Sequence, residues 1–166
     1  MELIETWNTR GNPDCIVPWG NLYFMCTYNL EMDSKTGCVY LMDQRNELNS
    51  LSFDKGILDM KAVGDLLITV SSDGSLDCID TNRFELTNSL KLSDDCATYI
   101  SIANDKAYVA FTNGKVSIVD LEGLTLLKES KVNMYEIWSL FATDRIALVP
   151  GPEGKLLVYD LSLIHI

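Results

Sequence analysis

Gly114-Lys-Val-Ser-Ile-Val-Asp120 is one of four copies of a seven-residue pattern that starts with glycine and ends with aspartate. The other copies read Gly37-Cys-Val-Tyr-Leu-Met-Asp43, Gly74-Ser-Leu-Asp-Cys-Ile-Asp80 and Gly154-Lys-Leu-Leu-Val-Tyr-Asp160. Successive glycines are 37, 40 and 40 residues apart. A regular period of this length indicates a repeat architecture, in which each repeat is one supersecondary unit.

Each copy of the pattern predicts a tight turn followed by a strand. Two of the glycines follow Asp73 and Asn113, and Asp-Gly and Asn-Gly pairs supply the positive φ angles that hairpin turns require. After the glycine, apolar residues mostly alternate with others, as in a half-buried strand. The closing aspartate is expected to end the strand and to accept hydrogen bonds from backbone amides of the next turn.

Three further strands are predicted around each glycine pattern. Strands rich in β-branched and aromatic residues precede the glycines at 22–28, 66–70, 107–112 and 145–149. Inner strands precede those at 15–19, 57–63, 98–103 and 137–142. More polar outer strands follow the first three patterns at 47–53, 85–92 and 125–131, and polar residues suit the exposed edge of a small sheet.

Four antiparallel strands in each repeat are typical of a β-propeller blade. The sequence therefore predicts that residues 1–166 form an all-β, WD-repeat-like β-propeller of about three and a half four-stranded blades. The predicted blades span residues 14–53, 57–92, 97–131 and 137–166. Because the fourth pattern is followed by six residues, we expect a fragment of a ring that usually has about seven blades. Residues 162–166 either begin another strand or are foreign to the native protein.

Charge and cysteine content limit the function classes. The chain has 24 Asp and Glu against 13 Lys and Arg, a net charge of −11, so we expect no nucleic-acid partner. This charge suits a soluble protein or one that binds a basic protein. Without a run of roughly 18 apolar residues or a signal peptide, we expect neither membrane insertion nor secretion. The five cysteines lack C-x-x-C spacing and the one histidine is His165, so we expect reduced cysteines, no zinc site and a cytoplasmic location.

Three stretches resemble one enzyme family. Met25-Cys-Thr-Tyr-Asn-Leu-Glu31, Gly56-Ile-Leu-Asp-Met-Lys61 and Met134-Tyr-Glu-Ile-Trp138 are similar in order and spacing to the N-terminal half of the diphthine methyl ester hydrolase family. The family patterns read much like C-G-T-Y-Q-L, I-L-D-M-K-W and H-x-F/Y-E-A-W. The chain differs from them at Thr27, Ala62 and Asn133.

The resemblance implies a WD-repeat protein of diphthamide biosynthesis. Its reaction is hydrolysis of a carboxymethyl ester on the modified histidine of translation elongation factor 2, which yields diphthine and methanol. The partner is then elongation factor 2 as a protein substrate, and no metal or organic cofactor is implied. Because the resemblance covers one half of such a protein, this length of chain alone is expected to have weak or no activity.

Candidate site residues follow from the chemistry of ester hydrolysis, which needs a nucleophile or activated water, a base and donors for the oxyanion. The sequence has no G-x-S-x-G elbow, so a carboxylate is the expected base. Glu136 and Asp59 lie at or near the start of inner strands and are the candidate catalytic residues. The candidate substrate-binding residues are Tyr28, Glu31, Tyr135 and Trp138.

Two alternatives stay open at this level. Glu136 and Asp59 are also typical of structural carboxylates that accept hydrogen bonds from loop amides, and Trp138 of strand packing. The whole chain also fits a non-catalytic WD-repeat scaffold that binds other proteins, because a propeller fold does not imply catalysis.

Overall fold

The computed structural model describes residues 6, 8–29, 36–44 and 46–161, which form fifteen strands in four antiparallel sheets. The first sheet contains β1 (Asn12–Trp19), β2 (Leu22–Asn29), β3 (Thr36–Asp43) and β4 (Asn46–Phe53). The second contains β5 (Ile57–Val63), β6 (Leu66–Ser71), β7 (Ser75–Asp80) and β8 (Glu85–Lys91). The third contains β9 (Ala97–Ala103), β10 (Lys106–Phe111), β11 (Lys115–Asp120) and β12 (Thr125–Lys131). The fourth contains β13 (Phe141–Ala142), β14 (Ile146–Pro150) and β15 (Leu156–Asp160), with a single 3-10 turn at Pro152–Gly154.

Within each sheet the strands follow one another in chain order, so every neighbouring pair is a hairpin. The sheets are the blades of the predicted WD-repeat-like β-propeller, and the all-β prediction is confirmed. The first strands of successive blades contact each other, β1 with β5, β5 with β9 and β9 with β13. These inner strands therefore bring residues distant in sequence to one place.

Three hydrophobic clusters join the blades, because alternate residues of each strand point to opposite faces of its sheet. Along β10, Ala107, Val109 and Phe111 pack toward the second blade, whereas Tyr108 and Ala110 pack toward the fourth. The first interblade cluster includes Phe24, Cys26, Val39, Ile57, Met60, Leu67, Ile79 and Phe84. The second and third interblade clusters lie on the two faces of the third blade.

The repeated glycines are required at two turns both by conformation and by space. Gly74 and Gly114 have φ angles of 81° and 79°. A Cβ on Gly74 would lie 2.3 Å from the Ser93 carbonyl oxygen, and one on Gly114 would lie 2.2 Å from that of Asn133. The predicted positive φ is thus confirmed at these two turns. At these two positions the central turn of the blade also lies directly against the loop that leads into the next blade.

The closing aspartates stabilise turns as predicted at two blades. Asp80 accepts hydrogen bonds from the amides of Asn82 and Arg83 at 2.9 and 2.8 Å, and Asp120 accepts one from Gly123 at 2.7 Å. The Arg83 amide is the main reason that the pKa of Asp80 lies below its usual range.

The predicted inner strand at 137–142 is wrong over most of its length, since only Phe141–Ala142 pair with β14. The reason lies in the third blade. The Ile137 amide donates to the Phe111 carbonyl at 3.3 Å, and the Thr98 hydroxyl donates to the Ile137 carbonyl. Ile137 therefore uses its backbone groups on the neighbouring blade, and residues 132–140 form an irregular connection.

Candidate functional site

The inner strands surround a cavity of about 580 Å³, which we call the axial cavity. β1, β5 and β9 all contribute to its wall, and the irregular connection at 132–140 contributes one aromatic residue. The residues that carry chemistry in this wall are Asp14, Cys15, Tyr28, Asp59, Lys61, Tyr99 and Trp138.

Asp59 is the buried carboxylate of the cavity, with 4% of the residue exposed. Both of its oxygens lie 2.9 Å from Lys61 Nζ, and one of them accepts a hydrogen bond from the Ile100 amide at 3.0 Å. Lys61 Nζ also lies 4.8 Å from the centroid of the Tyr99 ring, a distance typical of a cation–π contact. Asp59 therefore holds the ammonium group of Lys61 and joins β5 to β9.

Asp14 is a second carboxylate at the cavity, which the sequence did not identify. Its backbone forms a bulge in β1, because the register to β2 shifts between Pro13 and Cys15. Asp14 is an exposed residue, but partial burial of its carboxyl raises its pKa, and the charge of Asp59 raises it further. The pKa of an ordinary Asp side chain is about 3.9. Asp14 thus binds a proton more readily than an ordinary surface aspartate and is the better candidate base.

The structure brings three of the predicted site residues together. Tyr28, Asp59 and Trp138 all line the axial cavity. Trp138 is 57% exposed, and its indole N–H donates to Glu136 Oε2 at 2.9 Å. Trp138 thus forms part of the cavity mouth. The alternative that the sequence left open, a tryptophan packed within a strand, is not what the structure shows.

The other predicted residues lie elsewhere. Glu136 and Tyr135 line a second, more open hollow of about 370 Å³, which Trp138 also borders. Glu136 is exposed and does not line the axial cavity. Glu31 lies outside the residues that the structure describes.

Among residues 6, 8–29, 36–44 and 46–161, no three His, Cys, Asp or Glu side chains are grouped closely enough to hold a metal ion. The same part of the chain contains no helix with the length and apolar character that crossing a membrane requires.

Comparison with known proteins supports the fold. No protein-family model matches the chain, and no curated protein matches it. The computationally designed Ika4 protein superposes with a TM-score of 0.77 at 14% identity, over 96% of this chain and 98% of Ika4. The designed Ika8 protein matches at 0.75 and 12% identity, over 90% of this chain and 46% of Ika8.

U3-55K, a WD-repeat protein, matches with a TM-score of 0.74 at 11% identity, over 93% of this chain and 53% of U3-55K. The chain therefore spans about half the length of Ika8 and of U3-55K. At these identities the likeness concerns the fold alone, and the chain has the WD-repeat-like β-propeller fold.

Proposed function

We propose that the protein hydrolyses the methyl ester of diphthine methyl ester on translation elongation factor 2. One observation carries the proposal. Each of the three stretches that resemble the hydrolase family contributes to the same cavity: Tyr28 from the first, Asp59 and Lys61 from the second, and Trp138 from the third. These stretches are far apart in sequence, and a shared substrate gives a reason for their convergence.

The cavity supplies the groups that ester hydrolysis requires. In the proposed mechanism Asp14 accepts a proton from the water that attacks the ester carbonyl carbon. Lys61, held by Asp59, donates a hydrogen bond to the oxyanion of the tetrahedral intermediate. Methoxide then leaves and takes the proton back from Asp14 as methanol. Tyr28 and Trp138 provide aromatic surfaces for the imidazole of the modified histidine.

The reaction itself is tested on elongation factor 2 that carries the methylated intermediate. We expect the protein, in its longest expressed form, to remove the mass of one methylene group from the modified histidine peptide and to release methanol. Elongation factor 2 that already carries diphthine is the control and should keep its mass. Binding of elongation factor 2 with no loss of mass would contradict hydrolysis. The non-catalytic scaffold would then remain as the candidate function.

Asp14→Asn is expected to lower kcat/KM by about 100-fold or more, because proton transfer by a positioned side chain contributes roughly 10² to 10⁴. For the unchanged protein, activity should fall as the pH is lowered through the raised pKa of Asp14, since a protonated carboxyl cannot accept the proton from water. The measurement is kcat/KM against pH.

Asp94→Asn is the matched control for Asp14→Asn, because the Asp94 side chain is fully exposed on the loop between β8 and β9. It should keep the activity and the pH profile of the unchanged protein. An unaltered profile in Asp14→Asn would remove Asp14 from the mechanism.

A protein-binding propeller is the second candidate function, and one observation favours it. Met134 and Tyr135 are 87% and 62% exposed on the connection that also carries Trp138. Large exposed apolar residues grouped in one place are typical of protein interaction sites.

We expect the Met134→Ser, Tyr135→Ser double variant to raise Kd for elongation factor 2 about tenfold, because truncated anchors at interfaces cost on the order of 1 kcal/mol or more. Leu48→Ser, at a leucine on β4 that is 52% exposed, is the control and should leave Kd unchanged. An unchanged Kd in the double variant would exclude this loop from binding of elongation factor 2.

A further inference from the structure

Two cysteines face each other across the first hairpin. Cys15 on β1 and Cys26 on β2 are direct partners in the antiparallel register. Both pack with the first interblade cluster, so their side chains lie on the same face of the sheet. Directly opposite residues in such pairs have Cα atoms about 4.5–5.5 Å apart, and disulfides need about 4.4–6.8 Å. The Cα separation typical of such a pair therefore lies in the range that a disulfide requires.

The two thiols differ in access. Cys15 is half-buried and lines the axial cavity, whereas Cys26 is fully buried among Phe24 and Ile57. Cys15 is therefore the more accessible residue of the two. One thiol is thus placed to react first and the other to react second.

The contact between the thiols also sets which sulfur carries the charge. A hydrogen bond from Cys26 is the main reason that the pKa of Cys15 is lowered, although burial and the nearby Asp59 act in the opposite direction. The same contact, together with burial, raises the pKa of Cys26. The thiolate, which is the nucleophilic form of cysteine, is therefore favoured on the accessible sulfur.

The other described cysteines lack this arrangement. Cys38 and Cys78 are buried, and Cys96 precedes β9 while lining the same cavity. The strand partners of Cys38 are Thr27 and Ser52, and those of Cys78 are Ile68 and Asn88. In the described sheets, Cys15 and Cys26 are the one pair of cysteines that are direct partners across two strands.

We propose that Cys15 and Cys26 form a peroxide-reactive dithiol site that opens onto the axial cavity. The Cys15 thiolate attacks a hydroperoxide oxygen, breaks the O–O bond and becomes a sulfenic acid, while hydroxide or the corresponding alkoxide leaves and is protonated by water. The Cys26 sulfur then attacks the Cys15 sulfur, and the S–O bond breaks. The sulfenic hydroxyl leaves with the proton of Cys26 as water, and a disulfide remains.

The dithiol is oxidised by two electrons and the peroxide is reduced by two. A thiol reductant restores both cysteines by exchange, as in disulfides that act as redox sensors in reducing compartments. The site does not rest on the proposed ester hydrolysis, so failure of either proposal leaves the other intact.

The test uses the intact protein, hydrogen peroxide and peptide mass spectrometry. After brief peroxide treatment and alkylation with N-ethylmaleimide, we expect a Cys15–Cys26 linked peptide that is lighter by two hydrogen atoms than its two parts. Dithiothreitol should return both peptides to the alkylated form. Cys96, which lines the same cavity, should remain fully alkylated and is the internal control.

Two variants separate the steps. Cys26→Ala should leave a sulfenic acid on Cys15 that dimedone traps, with complete loss of the linked peptide. Cys15→Ser should protect Cys26 from peroxide under the same conditions. Three outcomes would overturn the proposal: a linkage from Cys15 to Cys96, oxidation of Cys96 at the same rate as Cys15, or no linked peptide in the unchanged protein. The measurement on the unchanged protein does not depend on the folding of either variant.

Discussion

Alanine at Gly114 is expected to destabilise the protein strongly, whereas alanine at Gly154 is expected to be tolerated. Both glycines start the repeated pattern, and both have a positive φ, 79° and 72°. A left-handed backbone costs an L-residue with a Cβ roughly 1–2 kcal/mol, and this cost is common to both positions. The difference lies in what surrounds each turn.

At Gly114 the added Cβ would meet the Asn133 carbonyl oxygen at 2.2 Å, whereas nothing lies within 4 Å of a Cβ at Gly154. The Gly114 carbonyl also accepts hydrogen bonds from the amides of Val132 and Asn133, each at 3.0 Å. The connection to the fourth blade must therefore move and lose these bonds. Each such bond contributes roughly 0.5–1.5 kcal/mol, so Gly114→Ala should cost about 2–5 kcal/mol in total.

The measurement is urea denaturation followed by circular dichroism for the two alanine variants. Gly154→Ala should cost no more than about 1–2 kcal/mol. Gly74→Ala should resemble Gly114→Ala, because its Cβ would meet the Ser93 carbonyl oxygen at 2.3 Å. Equal losses of unfolding free energy in Gly114→Ala and Gly154→Ala would show that the close approach between turn and loop does not limit the residue at Gly114.

Removal of one partner of the Lys55–Asp77 ion pair is the second change with a large expected effect. The Asp77 side chain is 0% exposed and that of Lys55 is 13% exposed. Lys55 Nζ lies 3.0 Å from one carboxylate oxygen and 2.8 Å from the other, and the Ser89 hydroxyl donates to the first. Asp73, at 3.9 Å, is the next carboxylate within reach of Lys55.

Asp77→Ala leaves a largely buried ammonium group without its close partner, and such losses cost about 3–5 kcal/mol. Lys55→Met leaves the buried carboxylate in the same situation and should cost a similar amount. The Lys55→Met, Asp77→Leu double variant removes both charges, so its loss of stability should be much smaller than the sum of the single losses. The measurement is the free energy of unfolding of all four proteins in urea.

Lys155 and Glu153 provide the exposed counterpart of this pair. Their charged atoms are 3.2 Å apart, with side chains 64% and 80% exposed. Glu153→Ala should change the free energy of unfolding by about 0–1 kcal/mol. If Asp77→Ala costs no more than Glu153→Ala, burial does not determine the contribution of the Lys55–Asp77 pair.

The sequence predicted the blades well because their signals are local. Glycine turns, alternating residues and polar edges recur in each repeat, and the observed strands of the second and third blades start and end close to the predicted positions. The prediction of a strand at 137–142 was wrong because of contacts with residues far away in the sequence. Its apolar residues have a strand-like composition, but Ile137 hydrogen-bonds to Phe111 and Thr98 of the third blade, and no local pattern reveals those partners.

The cavity was predicted in part. Asp59 was placed correctly at an inner strand, yet its role is different because Lys61 binds it. The spacing of two residues along one strand puts both side chains on one face, so the sequence already contained this signal. Asp14 was missed because the bulge that presents it lies ahead of the predicted start of β1, and bulges leave only weak local patterns. Glu136 was predicted near the start of an inner strand, but it lies exposed on the irregular connection, where the Trp138 indole donates to it.

The three interblade clusters make each repeat a separate unit of stability. Neighbouring blades share buried apolar faces, and proteins built this way gain stability as a sum over repeats and neighbour contacts. Insertion of one further repeat of about 40 residues would therefore supply its own apolar faces for the blades beside it. Its turn glycine would have to be kept, because a Cβ at Gly74 or Gly114 would collide with the backbone of the following loop.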